Sequence, residues 1–223
     1  MIRTVVIAGT PVDTRMGVEY LEKRSAEYCT PVCLPIYRPV AEDCDEQVKF
    51  QYSDAENKRR CMDAIFDPAI ADGIEDFFIY CNSLSAAFDF EKYAEEKRVK
   101  VYTPHQVYRE VAKKYGRVGV IAANNLSAYK IEETFMQVNP DVYVIGSGNM
   151  DIVSSIERGF TPREVVERCG IEQLVQYMET CRCQALILGC THFPYLRSEL
   201  DRFCNIPVID PADEMFTAMT GLR

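Results

Sequence analysis

No stretch of this sequence approaches the roughly 20 consecutive apolar residues that span a bilayer. No apolar signal-peptide region precedes the first strand-like segment, because Met1-Ile2-Arg3-Thr4 runs straight into it. These two absences point to a cytoplasmic protein with no membrane partner. Positive charge is also short. The chain has 25 Lys and Arg against 34 Asp and Glu, a net charge of −9. Nucleic-acid binders carry a basic face, so no nucleic-acid partner is expected. An acidic small molecule stays open, because a local pocket of N–H and hydroxyl donors binds a carboxylate even inside an acidic protein.

The sequence has no nucleotide-binding glycine loop and no lysine context suited to pyridoxal phosphate, so no cofactor is expected. The one close cysteine pair, Cys181-Arg182-Cys183, lacks the two-residue spacing and the second pair that make zinc sites specific, so no metal is expected. Only two histidines occur, His105 and His192. His105 follows Thr103-Pro104 at a helix start and reads as structural.

What is present is a chain of 223 residues, 48% apolar, enough for one large core or two modest ones and too apolar for disorder. Ten cysteines without an export signal read as reduced thiols rather than a disulfide framework. Short apolar runs alternate with helical patterns. Strands are expected over Thr4–Ala8, Val32–Leu34, Phe77–Tyr80, Val99–Tyr102, Val118–Ala122, Val142–Ile145, Ala185–Leu188 and Val208–Ile209. Helices are expected over Met16–Glu27, Ala55–Ala71, Ala86–Lys97, His105–Lys114, Ser127–Val138, Pro162–Thr180 and Tyr195–Phe203. Ile65, Ala69 and Ile70 mark one face of the second helix. Thr161-Pro162-Arg163-Glu164 reads as an N-cap, an N1 proline and a capping-box glutamate.

Two stretches stand out. Phe77-Phe78-Ile79-Tyr80 runs into Cys81-Asn82-Ser83, and Ala185-Leu186-Ile187-Leu188 runs into Gly189-Cys190-Thr191-His192-Phe193-Pro194. Each is a strand end opening towards a helix, where open α/β sheets build sites and N–H groups favour an anion. Val5-Val6-Ile7-Ala8 also resembles Gly119-Val120-Ile121-Ala122, at a similar distance before its cysteine. The repeat implies two pseudo-symmetric α/β lobes with largely parallel sheets and the active site at the lobe interface.

These motifs resemble those of the aspartate/glutamate racemase superfamily, nearest the cofactor-independent glutamate racemases. Gly189–Pro194 stands where that family has Gly-Cys-Thr-His-aromatic-Pro, and Cys81-Asn82-Ser83 where it has Cys-Asn-Thr. Asp13-Thr14-Arg15-Met16-Gly17 is an altered Asp-Ser-Gly-x-Gly-Gly turn, Ile156-Glu157-Arg158-Gly159 matches Val-Glu-x-Gly, and Ile209-Asp210-Pro211-Ala212 matches the C-terminal strand and turn. The resemblance implies an isomerase in which Cys81 and Cys190 are acid/base thiols. Asp13 and Glu157 are implied beside Cys81, and His192 beside Cys190. Thr14, Asn82, Ser83 and Thr191 are implied to hold the amino-acid substrate, with Asn124 and Asn125 as further contacts. The resemblance also implies the expected division, 1–97 plus 208–223 for the lobe of Cys81 and 98–207 for the lobe of Cys190, which the Pro207-flanked Val208-Ile209 run fits. A homodimer is the candidate assembly.

Each helper also has a plain structural reading: Asp13 and His192 as helix caps, Glu157 as a solvated carboxylate. The family's Pro-Tyr-Gly loop, which contacts the distal carboxylate, is absent from Pro35-Ile36-Tyr37-Arg38-Pro39. His192, where aspartate racemases have glutamate, favours glutamate over aspartate. The competing functions are another racemase, isomerase or decarboxylase reaction on the same scaffold, or a catalytically silent amino-acid-binding or regulatory protein.

Overall fold

Eight short apolar runs become eight strands, and their pairing order is written twice. The computed structural model describes residues 1–28 and 31–222, the side chain of Cys44 excepted. Arg223, the end of the range expected for the first lobe, lies outside the described residues. The chain divides into two units, one of Met1–Pro104 with the chain from Glu214 onward, the other of His105–Asp213.

The first unit contains β1 (Ile2–Ala8), α1 (Pro11–Ala26), β2 (Cys33–Pro39), α2 (Cys44–Tyr52), α3 (Ala55–Ala71), β3 (Asp76–Ile79), α4 (Asn82–Ala87), α5 (Phe90–Lys97) and β4 (Lys100–Tyr102). Its four strands pair in parallel in the order β2-β1-β3-β4. Val5, Val6 and Ile7 of β1 and Phe77, Phe78 and Ile79 of β3 are wholly buried, as strands covered on both faces should be.

The second unit follows with α6 (Pro104–Lys114), β5 (Arg117–Ala122), α7 (Asn125–Val138), β6 (Tyr143–Gly148), α8 (Met150–Glu157), α9 (Pro162–Cys169), α10 (Ile171–Thr180) and β7 (Ala185–Gly189). A 3-10 turn (Phe193–Leu196), α11 (Arg197–Phe203), β8 (Val208–Ile209) and the start of α12 (Pro211–Thr220) complete it. Its sheet is again parallel, in the order β6-β5-β7-β8. In both sheets the order reverses between the first and third strands. The crevice beyond the carboxyl ends at such a switch point is where open α/β sheets place ligands. Gly9 and Cys81 follow the two switch strands of the first sheet, and Ala123 and Cys190 follow those of the second.

The structure corrects the expected division. Val208–Ile209 pairs with Leu186–Ile187 of β7, and Lys100–Tyr102 pairs with β3. The C-terminal strand therefore belongs to the second sheet, and the segment 98–104 to the first unit. The reason is backbone satisfaction: β7 offers its edge to Val208–Ile209, and Leu186 N–H also donates to the Pro207 carbonyl at 2.8 Å. The chain rejoins the first unit within α12, where Phe216 is wholly buried, stacks on Tyr28 and lies under the Arg24 guanidinium.

Helix boundaries moved for local reasons. α1 begins at Pro11, five positions before the expected Met16, because Thr10 caps it and accepts from Asp13 N–H. The expected Ala86–Lys97 helix splits into α4 and α5. The expected Pro162–Thr180 helix splits at Gly170, whose φ of 63° is left-handed. The capping box at Thr161 and Glu164 is formed. α3 buries Met62, Phe66 and Ala69, so Ile65 and Ile70 flank its core face rather than define it. His105 is structural: its Nδ1 lies 2.7 Å from Thr134 Oγ1 and ties α6 to α7. Among the described residues, no helix is long and apolar enough to cross a membrane.

Candidate active site

Cys81 occupies the N-cap of α4, two residues beyond Ile79 at the end of β3, and is 5% exposed. Its sulfur lies 3.3 Å from Ser83 Oγ and 3.8 Å from Gln47 Nε2, and the backbone N–H groups of Leu84 and Gly9 donate to it. Burial pushes the Cys81 thiol up, and the charge of Asp13 adds to that. The Ser83 hydroxyl and the two N–H groups pull the other way. A Cβ on Gly9 would overlap the Gln47 carboxamide, so the close approach of α2 to this turn needs glycine there.

Asp13 is buried in the first turn of α1. Its Oδ2 accepts from Thr10 Oγ1 at 3.1 Å and its N–H donates back to that hydroxyl at 3.3 Å. The cap is therefore Thr10, and Asp13 is its reciprocal partner rather than the cap. Thr14 is wholly buried and donates its hydroxyl hydrogen to the Thr10 carbonyl at 2.7 Å. Asn82, the first residue of α4, is buried. The segment Asp13–Gly17 is helical rather than a turn. Gly17 lets α1 close on the sheet, since a Cβ there would stand 2.8 Å from Val6 Cγ1 and from Tyr80 Cγ.

The second cluster surrounds Cys190, half-buried after β7. Its sulfur is 3.7 Å from His192 Nδ1, and His192 Nε2 is 3.2 Å from Glu157 Oε1. His192 precedes the 3-10 turn but makes no side-chain cap there, so its ring serves the sulfur rather than the helix end. Glu157, at the end of α8, was expected beside Cys81; within its own unit its carboxylate meets His192. Its side chain is 50% exposed and that of His192 only 7%. Carboxylate, imidazole and thiol thus stand in a row, with Nε2 near the Glu157 carboxylate but outside hydrogen-bonding geometry to it. Thr191 lies between Cys190 and His192 in the chain and is half-buried. Asn124 is exposed and caps α7, its Oδ1 accepting from Ser127 N–H at 2.9 Å, while Asn125 Oδ1 accepts from Gly148 N–H at 3.1 Å.

Four further residues belong with these clusters. Gln47 and Gln51 of α2 reach the Cys81 turn. Tyr108 of α6 is wholly buried, and its phenol is pushed well above its ordinary range by burial and by the charges of Asp210 and Cys190. Asp210, between β8 and α12, is buried and accepts from Ala212 N–H at 2.9 Å. α2 was missed because, among its described side chains, only Phe50 is buried, so apolar periodicity is nearly silent. Its signal is the N-cap Asp43, whose Oδ1 accepts from Glu46 N–H, while the Glu46 carboxylate accepts from Glu42 N–H. The eight cysteines whose side chains are described are free thiols. Among the described residues, no group of three or more His, Cys, Asp and Glu side chains is placed to hold a metal ion.

Two matched parallel sheets, each with a cysteine and proton-handling groups at its switch point, describe a racemase scaffold. The chain belongs to the Asp/Glu/Hydantoin racemase family, whose sequence pattern matches residues 41–219. It is similar to a glutamate racemase of Acidothermus cellulolyticus, 31% identical over 155 residues, or 68% of this chain and 59% of that one. The chain spans about half the length of the curated relatives it matches, from 38% to 59% in the examples compared. In structure it resembles glutamate racemase from Francisella tularensis, solved in complex with D-glutamate. That likeness has a TM-score of 0.68 at 18% identity and covers 99% of this chain and 80% of the other. It also resembles PH1733, an aspartate racemase homologue from Pyrococcus horikoshii, with a TM-score of 0.73 at 16% identity over the whole of both chains.

Proposed function

We propose that this protein is a cofactor-independent amino-acid racemase that inverts the α-carbon of an acidic amino acid, glutamate in preference to aspartate. One base removes the α-proton from one face and a conjugate acid returns a proton to the other. Thiolate and thiol can exchange those parts, so one pair of cysteines serves both directions. The observation that carries the reading is the repetition. A cysteine follows the third strand of each sheet, and its sulfur meets groups suited to moving or holding a proton.

In this reading Cys81 and Cys190 are the two acid/base residues. A free thiol with pKa about 8.5 is mostly protonated at neutral pH, so each sulfur needs help to act as base. His192, oriented by Glu157, accepts the Cys190 proton and holds it as imidazolium beside the thiolate. For Cys81 the help is hydrogen bonding: Ser83, Gln47 and the Leu84 and Gly9 N–H groups donate to the sulfur, while Asp13 stands by as the nearby carboxylate. Asn82 and Thr191, beside the two sulfurs, orient the substrate, with Thr14, Ser83 and Asn124 as further contacts. The preference for glutamate rests on the resemblance at His192.

The test is solvent exchange. Purified protein is incubated without added cofactor in deuterated buffer with each enantiomer of glutamate and of aspartate. The α-position should take up deuterium and the opposite enantiomer should appear, faster with glutamate. Absence of exchange with all four substrates would reject the acidic-substrate reading. Tight binding without exchange would favour the silent binding protein.

A further inference from the structure

Ser83 has one hydroxyl hydrogen and two acceptor sites, and its surroundings assign all three. Gln47 Nε2 donates to Ser83 Oγ at 3.2 Å, and Gln51 Nε2 donates to the same oxygen at 3.0 Å. Both acceptor sites are then filled by carboxamide hydrogens. The hydroxyl hydrogen is left to point at the remaining neighbour, Cys81 Sγ, 3.3 Å away. The reverse hydrogen bond, from the thiol to Ser83, would need a third acceptor site that the oxygen does not have.

We infer that Gln47 and Gln51 are positioning residues which, by occupying both acceptor sites of Ser83, turn its hydroxyl hydrogen onto Cys81 and hold that sulfur as an acceptor, in the form needed to take a proton. Gln47 contributes a second time through its own donor, 3.8 Å from the sulfur. The Gly9 and Leu84 N–H groups complete a set of four donors on one sulfur. Hydrogen bonds to the charged form favour it, so this set opposes the burial and the Asp13 charge that push the Cys81 thiol up. Among the described residues, the charged group acting on this sulfur is Asp13 of α1; α2 faces it with a carboxamide and α4 with a backbone N–H. Neither glutamine is needed to build the core: both are half-buried, on a helix whose buried anchor is Phe50. The inference rests on Cys81 serving as a base in the proposed reaction, but its test reads the sulfur whether or not the protein racemises anything.

The experiment is a pH titration of thiolate ultraviolet absorbance, each variant measured against the same variant carrying Cys81→Ser, so that Tyr and other Cys ionisations cancel. The variants are Gln51→Met, Gln47→Met, Ser83→Ala and the double variant Ser83→Ala/Gln51→Met. Gln51→Met should raise the Cys81 midpoint by about one pH unit, and Gln47→Met by more, since it also removes a direct donor. Ser83→Ala should raise it at least as far as Gln51→Met. In the Ser83→Ala background Gln51→Met should add nothing, because Gln51 acts through that hydroxyl. Gly9→Ala, which pushes the Gln47 carboxamide away without touching the glutamine chemically, should shift the midpoint upward as well. A Gln51→Met midpoint that does not move would overturn the inference, as would an equal shift with and without the Ser83 hydroxyl. Absence of racemisation in the unaltered protein, with these shifts present in the variants, would count against the reaction, not against the positioning role.

Discussion

Cys81 and Cys190 both follow the third strand of a four-stranded parallel sheet, at the same switch point of the same strand order. Their surroundings differ. Cys81 is 5% exposed and meets neutral donors, with a carboxylate acting against its ionisation. Cys190 is half-buried and meets an imidazole backed by a carboxylate. On the proposed reading, one scaffold makes a thiol reactive in two ways. Donors can stabilise the thiolate in place, or a neighbouring base can carry the proton off. A reversible two-base reaction tolerates this asymmetry, since each sulfur need only reach both protonation states. The two units differ in the same sense in how their helices meet the sheet. α1 closes down through a glycine on the helix, Gly17, whereas in the second unit the glycine is on the strand, Gly189, where a Cβ would stand 2.6 Å from Ile131 Cδ1.

The largest expected effect would erase the comparison. Cys81→Ser and Cys190→Ser should each lower racemisation by on the order of 10³-fold or more, because a hydroxyl cannot act as the base at neutral pH. Substantial activity in either variant would show that one sulfur suffices and that the matched positions are coincidental.

The second expectation belongs to the Cys190 side alone. Burial pushes the Asp210 carboxyl up to about 7, with Asp213 adding to the rise and the Ala212 N–H opposing it. The unfolded chain releases this proton near pH 4, whereas the folded chain keeps it until about pH 7. Between these values the folded state binds more protons, so the stabilisation is complete below about pH 4 and is lost as the pH rises through 7. The loss between pH 5 and 8 is about 3 kcal/mol. Asp210→Asn, which keeps the acceptor for the Ala212 N–H, should flatten that slope in urea unfolding curves recorded across this range. An unchanged slope would place the titration elsewhere.

Next come the helpers of Cys190. His192→Asn should lower kcat by about 10²-fold, and Glu157→Gln by about tenfold, since the latter orients the ring without holding the proton. Both should slow proton exchange on the substrate face served by Cys190 more than on the other. Equal slowing on both faces, measured as deuterium uptake from each enantiomer, would contradict the assignment of this row to one sulfur. Smallest of all, Gly17→Ala should cost about 1–3 kcal/mol in unfolding free energy through overpacking against Val6 and Tyr80. A neutral result would show that α1 can lift off its sheet.

Much of the fold was legible because parallel strands buried on both faces read as continuous apolar runs. All eight expected strands overlap observed ones, and the repeat of Val5–Ala8 and Gly119–Ala122 fell on equivalent strands, β1 and β5. What failed was the partner of a two-residue strand. Val208–Ile209 carries too little pattern to say which sheet edge it joins, and only its backbone hydrogen bonds decide. α2, α8 and α12 were invisible for a related reason. Among its described side chains α2 buries only Phe50, and α8 and α12 are short enough for loops to share their composition. At the site, both cysteines and His192 announced themselves by motif. That the Glu157 carboxylate meets His192 was not legible, because sequence order does not say which side chain a helix end will reach. Gln47 and Gln51 carry no motif, and their role follows from counting the hydrogen-bonding capacity of Ser83, which needs coordinates.

The central claim, that the two sulfurs act on opposite faces of one α-carbon, is tested most directly by what each serine variant still does. An amino-acid analogue with a good leaving group on its β-carbon needs only proton abstraction, after which it eliminates with no proton returned. Each variant keeps one base, so each should eliminate from one enantiomer and spare the other, with Cys81→Ser and Cys190→Ser showing opposite preferences. If both variants eliminate from the same enantiomer at equal rates, the two thiols do not serve opposite faces and the two-base mechanism is wrong.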